Sequence, residues 1–103
     1  MSVYSLDYRA MGRDLFERGY RVRDARDLKT EFDLTTEEAE AVYRVLLTYE
    51  GIESHWEDIE FWMDDKIRQE VYDKWGEDSD KIILFDEYRR RDPRIWEYAE
   101  ALI

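Results

Sequence analysis

Apolar residues recur at intervals of three and four along most of the chain, the period of helices that each bury one face, and polar residues mark where those segments begin and end. Leu6, Ala10, Leu15 and Phe16 define a first helix running from a Ser5 cap to about Arg18, with Gly19 as its stop. A short helix near Arg23 to Phe32 carries Ala25, Leu28 and Phe32. Thr35 and Glu38 have the spacing of a capping box, and the helix they open has Ala39, Val42, Tyr43, Leu46 and Leu47 on its inner face and Gly51 at its end.

A second capping box, Ser54 with Glu57, opens the longest predicted helix, about 54–75, which Gly76 terminates. Ile52, Trp56, Ile59, Met63 and Ile67 fall in one narrow arc of it and are expected to face the core, while Val71, Tyr72 and Trp75 drift toward another neighbour. The run Lys81 to Phe85 fits a buried strand or a helix. It is read as a helix capped by Asp78 or Ser79, with Arg89, Arg90 and Arg91 complementing the dipole at its end. Asp92 and Pro93 then start a last helix with Ile95, Trp96, Ala99, Leu102 and Ile103 inward. The expected fold is all-α, a compact bundle of five to six helices with one long acidic helix, forming a single domain over residues 1–103.

Composition supports a folded chain. Hydrophobic residues are 44% and aromatic residues 16% of the 103, enough apolar surface to offset backbone ordering. The absence of Cys excludes disulfides, a thiol nucleophile and thiolate metal sites. The longest apolar run, Ile82 to Phe85, is far below the roughly 18 residues of a membrane span, and Met1-Ser2-Val3-Tyr4 does not open a signal peptide. A cytoplasmic protein without membrane contact is the expectation.

Catalytic inventories are poorly filled. His55 is the one histidine, so no Ser-His-Asp or two-His metal site can be assembled within the chain, and Ile52 stands where a Glu-x-x-His di-iron motif needs its carboxylate. Calcium-loop readings from Asp73 or Asp78 put Trp75 or Ile82 at ligand positions. The four glycines are scattered singly, so no phosphate loop exists. No enzyme, metal or cofactor is expected. Leu28, Phe32, Leu34, Ala39 and Val42, with Asp33 at the turn, have the apolar spacing of a helix-turn-helix. Glu37, Glu38 and Glu40 would then face phosphates, which disfavours a direct nucleic-acid reader.

Charge separates the chain into parts. Residues 37–80 carry 15 acids against 4 bases, the whole of the formal net charge of −11, while the flanks are neutral. On the predicted long helix Glu53, Glu57, Glu60 and Asp64 lie within about 60° of one another, with Glu50 in line and Asp58 and Asp65 on the adjacent face. Like charges three or four apart oppose helix formation, and their spacing of roughly 5–6 Å approaches that of phosphates along a strand. Phe61 and Trp62 lie off the apolar arc among these acids, the composition of a binding hot spot with a charged rim.

The sequence therefore predicts a non-catalytic protein-binding module. Its face of Glu50, Glu53, Glu57, Asp58, Glu60, Asp64 and Asp65, anchored by Phe61 or Trp62, would occupy the basic surface of a nucleic-acid-binding protein as a DNA mimic. In size and charge, though in no motif, it is similar to the small acidic inhibitors that bacteriophages direct against restriction or CRISPR machinery. The alternatives are an adaptor or homodimer joined through exposed aromatics, and a helix-turn-helix regulator using Arg21, Arg23 and Arg26.

Overall fold

A computed structural model describes residues 8–102. Among them the fold is all-α: helices α1 (Tyr8–Glu17), α2 (Ala25–Glu31), α3 (Thr36–Ser54), α4 (Trp56–Trp62), α5 (Asp65–Trp75), α6 (Lys81–Arg91) and α7 (Ile95–Ala101), with a single 3-10 turn, Val22–Asp24, before α2. Residue contacts divide into two compact units, Met1–Glu50 and Gly51–Ile103.

In the first unit Met11, Leu15, Phe16, Leu28, Leu34, Val42, Val45, Leu46 and Tyr49 are buried. Ser5 and Leu6 lie outside the described residues, and Ala10, expected inward, is exposed. The buried stripe of α3 runs through Val42, Val45, Leu46 and Tyr49. Tyr43, expected on that face, is exposed, and Ala39 and Leu47 are only half-buried. Gly12 explains part of this rotation, because a Cβ built there would stand 2.6 Å from the β carbon of Val45. The missing side chain lets α1 approach Val45 closely. The Thr35–Glu38 capping box forms in both directions, at 3.1 and 2.9 Å, and these bonds, led by the Thr35 backbone N–H, hold the Glu38 carboxyl below its usual range. Gly19 at φ +102° ends α1, and Asp33 at φ +51° makes the turn between α2 and α3.

Gly51 does not end α3. Its carbonyl accepts from the His55 N–H at 2.8 Å, so the helix runs on to Ser54 and the expected Ser54–Glu57 capping box is not formed. His55 instead stands at the N-cap of α4, with no side-chain cap bond.

The predicted helix over 54–75 is two helices. Met63 adopts an extended conformation, its N–H bonds to the Glu60 carbonyl, and Asp64 becomes the N-cap of α5 by accepting from the N–H groups of Lys66 (3.0 Å) and Ile67 (3.1 Å). The Asp64 N–H, released from helical pairing, donates to the Tyr88 hydroxyl oxygen at 2.7 Å, and that hydroxyl donates to Asp92 Oδ2 at 3.3 Å. Gly76 at φ +91° closes α5 as expected.

α5 packs on α6, α4 on α7 and α6 on α7. Ile52, Trp56, Ile59, Met63, Val71, Ile82, Leu84, Phe85, Tyr88, Ile95, Trp96 and Ala99 are buried, whereas Ile67 is only partly so. The segment Lys81 to Phe85 is helical and is capped by Asp80, which accepts from the Ile82 N–H at 2.8 Å, rather than by Asp78 or Ser79. Asp92 does not cap α7. Its carboxylate is held by Arg94 and Tyr88, and the chain passes through a turn before α7 begins at Ile95. Glu87, almost wholly buried, accepts from Lys74 (2.9 Å) and Arg91 (3.4 Å), and Arg91 also reaches Glu70 at 2.7 Å. These pairs tie α5 to α6 and, Lys74 foremost, hold the Glu87 carboxyl below its usual range.

Two outcomes follow from the second unit. Tyr88→Phe removes the acceptor for the Asp64 N–H and should cost about 1–3 kcal/mol in urea unfolding. Because the Glu87 pKa is depressed on folding, its stabilising contribution is complete above the ordinary carboxylate range and is lost as pH falls through that range toward the folded value. Stability measured across this window should fall less steeply with acid in Glu87→Gln than in the parent.

Candidate protein-binding site

Helix α4 is one short segment, Trp-Glu-Asp-Ile-Glu-Phe-Trp, whose apolar and acidic halves are sorted by helical geometry. Trp56 and Ile59 go inward, Glu57 and Asp58 occupy the first turn, where negative charge complements the helix dipole, and Phe61 and Trp62 face out at the end. Phe61 is 79% and Trp62 51% exposed. Their rings meet edge to face, with centroids 5.6 Å apart at 89°. Trp62 also stacks on Tyr98 of α7, at 5.1 Å and 13°, so three aromatic rings form one continuous surface.

The acidic residues are not equivalent. Glu60 accepts from the Tyr72 hydroxyl; burial foremost, and then this hydrogen bond, raises the Tyr72 pKa. Asp64 is committed to capping α5, and Asp65 pairs with Arg68 at 2.9 Å. Glu50 belongs to the first unit, where it accepts from the Val22 N–H at 3.3 Å. The break at Met63 also removes Asp64 and Asp65 from the helix that carries Glu57 and Glu60, so the predicted single row of carboxylates is interrupted. Glu53 and Glu57 have no hydrogen bond or ion pair among the described residues, and Asp58 has only His55 Nδ1 at 3.9 Å. These three, with His55, Glu60 and Lys81, line a polar cleft of about 340 Å³.

The basic islands are mostly engaged within the chain. Arg21 donates to the Phe16 and Tyr20 carbonyls at the end of α1, and Arg94 holds Asp92 at 3.0 Å. Arg89 lies over the Trp96 ring at 5.3 Å. Among the described residues no group of three or more His, Asp or Glu side chains is placed to hold a metal ion, and no helix is long and apolar enough to cross a membrane.

Tyr98 is the site residue that sequence reasoning missed. It stands about 60° from Ile95 on the helical wheel, at the edge of the α7 inner face, so its periodicity does give a signal that it is partly exposed. The arrangement is an aromatic surface with two carboxylates, Glu57 and Asp58, one helical turn behind it, of which Asp58 faces His55. Because Phe61 contributes little burial, Phe61→Ser should change the unfolding free energy by no more than about 0.5 kcal/mol in urea titration. The chain matches no family model, no curated protein and no solved structure.

Proposed function

We propose that the chain is a non-catalytic binding module that docks α4 and its aromatic neighbours on the basic surface of a nucleic-acid-binding protein and competes there with nucleic acid. The observation that carries this reading is the exposure of Phe61 and Trp62 beside Glu53 and Glu57, which have no hydrogen bond or ion pair among the described residues. From Val45 through Asp65 the sequence contains no Lys or Arg at all, and Glu53, Glu57 and Asp58 project from the middle of that stretch. Desolvated aromatics supply binding energy, whereas rim charges steer encounter and select for a basic partner. The expected setting is the cytoplasm, and the analogy remains with small acidic phage inhibitors of nucleic-acid machinery.

The mimic takes a particular form. An even row of carboxylates from Glu50 to Asp64 does not support it, because Glu50, Glu60 and Asp64 are committed within the fold. Glu53, Glu57 and Asp58 carry the negative field, and Phe61, Trp62 and Tyr98 form the anchor. Self-association through the same rings is the competing reading; it is opposed by the like charge that two copies would bring together.

The test is capture of basic proteins on the immobilised chain, followed by affinity measurement on those retained. Binding should weaken as salt rises, yield to competitor DNA, and fall about ten-fold or more in the Glu53→Lys, Glu57→Lys double variant at unchanged helicity. Glu60 is left intact in this variant because it holds Tyr72. Affinity indifferent to salt and to the double reversal would contradict the proposal.

A further inference from the structure

We infer that the Phe61–Trp62–Tyr98 surface is an arginine-binding site, taking a partner's guanidinium flat against the exposed rings while Asp58 or Glu57 accepts its N–H groups. This rests on the protein-binding reading above and names the side chain that the site would select. Three observations lead to it.

The first is spacing: each exposed ring of α4 has a carboxylate four residues before it, Glu57 for Phe61 and Asp58 for Trp62. Residues so related are neighbours on one helix face, roughly 5–6 Å apart at Cβ. A guanidinium, being planar, can stack on an aromatic face while its edge donates to a carboxylate, which an ammonium cannot do with the same geometry.

The second is that the chain already places guanidinium groups over aromatic rings, and one of them, Arg13, also pairs with a carboxylate, Glu17 at 3.4 Å. Arg21 lies over Phe16 at 3.9 Å, Arg13 over Tyr49 at 5.8 Å and Arg89 over Trp96 at 5.3 Å. No cation of the described residues stands over Phe61 or Trp62, although these are the most exposed aromatic rings of that set.

The third is charge complementarity. Glu57 has no hydrogen bond or ion pair among the described residues and Asp58 has only His55 at 3.9 Å; Lys81 lines the same cleft without pairing with either, so an arginine meets an excess of carboxylates over bases. The same charge repels phosphate, which argues against nucleic-acid bases as the occupant of the rings.

The probe is a short peptide of alternating Gly and Arg, with its Lys counterpart and a single-stranded oligonucleotide as comparisons. The four tryptophan indole N–H resonances report each ring separately. The Arg peptide should shift Trp62 in a saturable, salt-sensitive way and bind about two- to five-fold more tightly than the Lys peptide. Trp75, of similar exposure but with Lys74 over its ring at 5.7 Å, should stay still. Asp58→Asn should weaken the Arg peptide while the indole spectrum stays that of the folded parent, and Trp62→Ala should reduce its binding to the level of the Lys peptide. Equal affinity for the two peptides, a stationary Trp62 resonance, or preference for the oligonucleotide would overturn the inference. If Trp62 stays still while a basic partner is still bound and lost in the Glu53, Glu57 reversal, the arginine site alone is overturned. If Trp62 responds to the Arg peptide but no basic partner is retained, the arginine site is upheld and the wider docking proposal fails.

Discussion

The Tyr88 hydroxyl holds together three places in the second unit that helical pairing alone would not connect. It accepts from the Asp64 N–H, donates to the Asp92 carboxylate, and sits on a ring that is wholly buried. Were α4 to continue, the Asp64 N–H would pair with the Glu60 carbonyl. The Met63 N–H and Arg68 Nη1 serve that carbonyl instead, and Asp64 turns to cap the next helix. The N–H groups of Met63 and Asp64 and the Glu60 and Asp64 carbonyls thus all have partners, which lets the chain bend between two helices without stranding them. Asp92, held by Tyr88 and Arg94, anchors the far end of the arrangement just before α7.

The break has a consequence for the surface. A single helix through residue 75 would place further turns of side chains beyond Phe61 and Trp62. Ending α4 at Trp62 leaves both rings at a terminus, where Tyr98 of α7 can support Trp62 from one side. The fold also sorts its charges. Glu87, Glu70, Asp65 and Asp92 are matched to Lys74, Arg91, Arg68 and Arg94, while Glu53 and Glu57 are left unmatched. The surface pairs at Glu70 and Asp65 add little stability individually, whereas Glu87 and Asp92 are largely buried; together these pairs use up bases that Glu53 and Glu57 do not bond, although Lys81 lines their cleft.

Some local signals in the sequence hold in the fold, while the Ser54–Glu57 box and the Asp92 cap do not form. The Thr35–Glu38 box, the left-handed glycines 19 and 76, and the outward position of Phe61 and Trp62 all depend on residues within one or two turns of one another. The helical state of Lys81 to Phe85 was also accessible, because an acidic residue before it and arginines at its end both favour a helix there. What periodicity could not reveal was set at long range. Met63 and Asp64 contain no Gly or Pro, and the tyrosine that stabilises the break lies 24 residues away. Gly51 read as a stop, yet a glycine inside a helix costs only roughly 1 kcal/mol, less than packed neighbours can supply. The acidic row suffered most: its even spacing assumed a continuous helix, and Glu60 and Asp64 were taken up by Tyr72 and by capping.

Backbone chemical shifts across residues 56–75 test the account at its centre. Helical shifts over Trp56–Trp62 and Asp65–Trp75, separated by extended values at Met63 and Asp64, are the predicted result. Uninterrupted helical shifts from Trp56 to Trp75 would contradict it, since Asp64 would then cap nothing, Tyr88 would have no backbone partner, and the carboxylates would form the continuous row that the break removes.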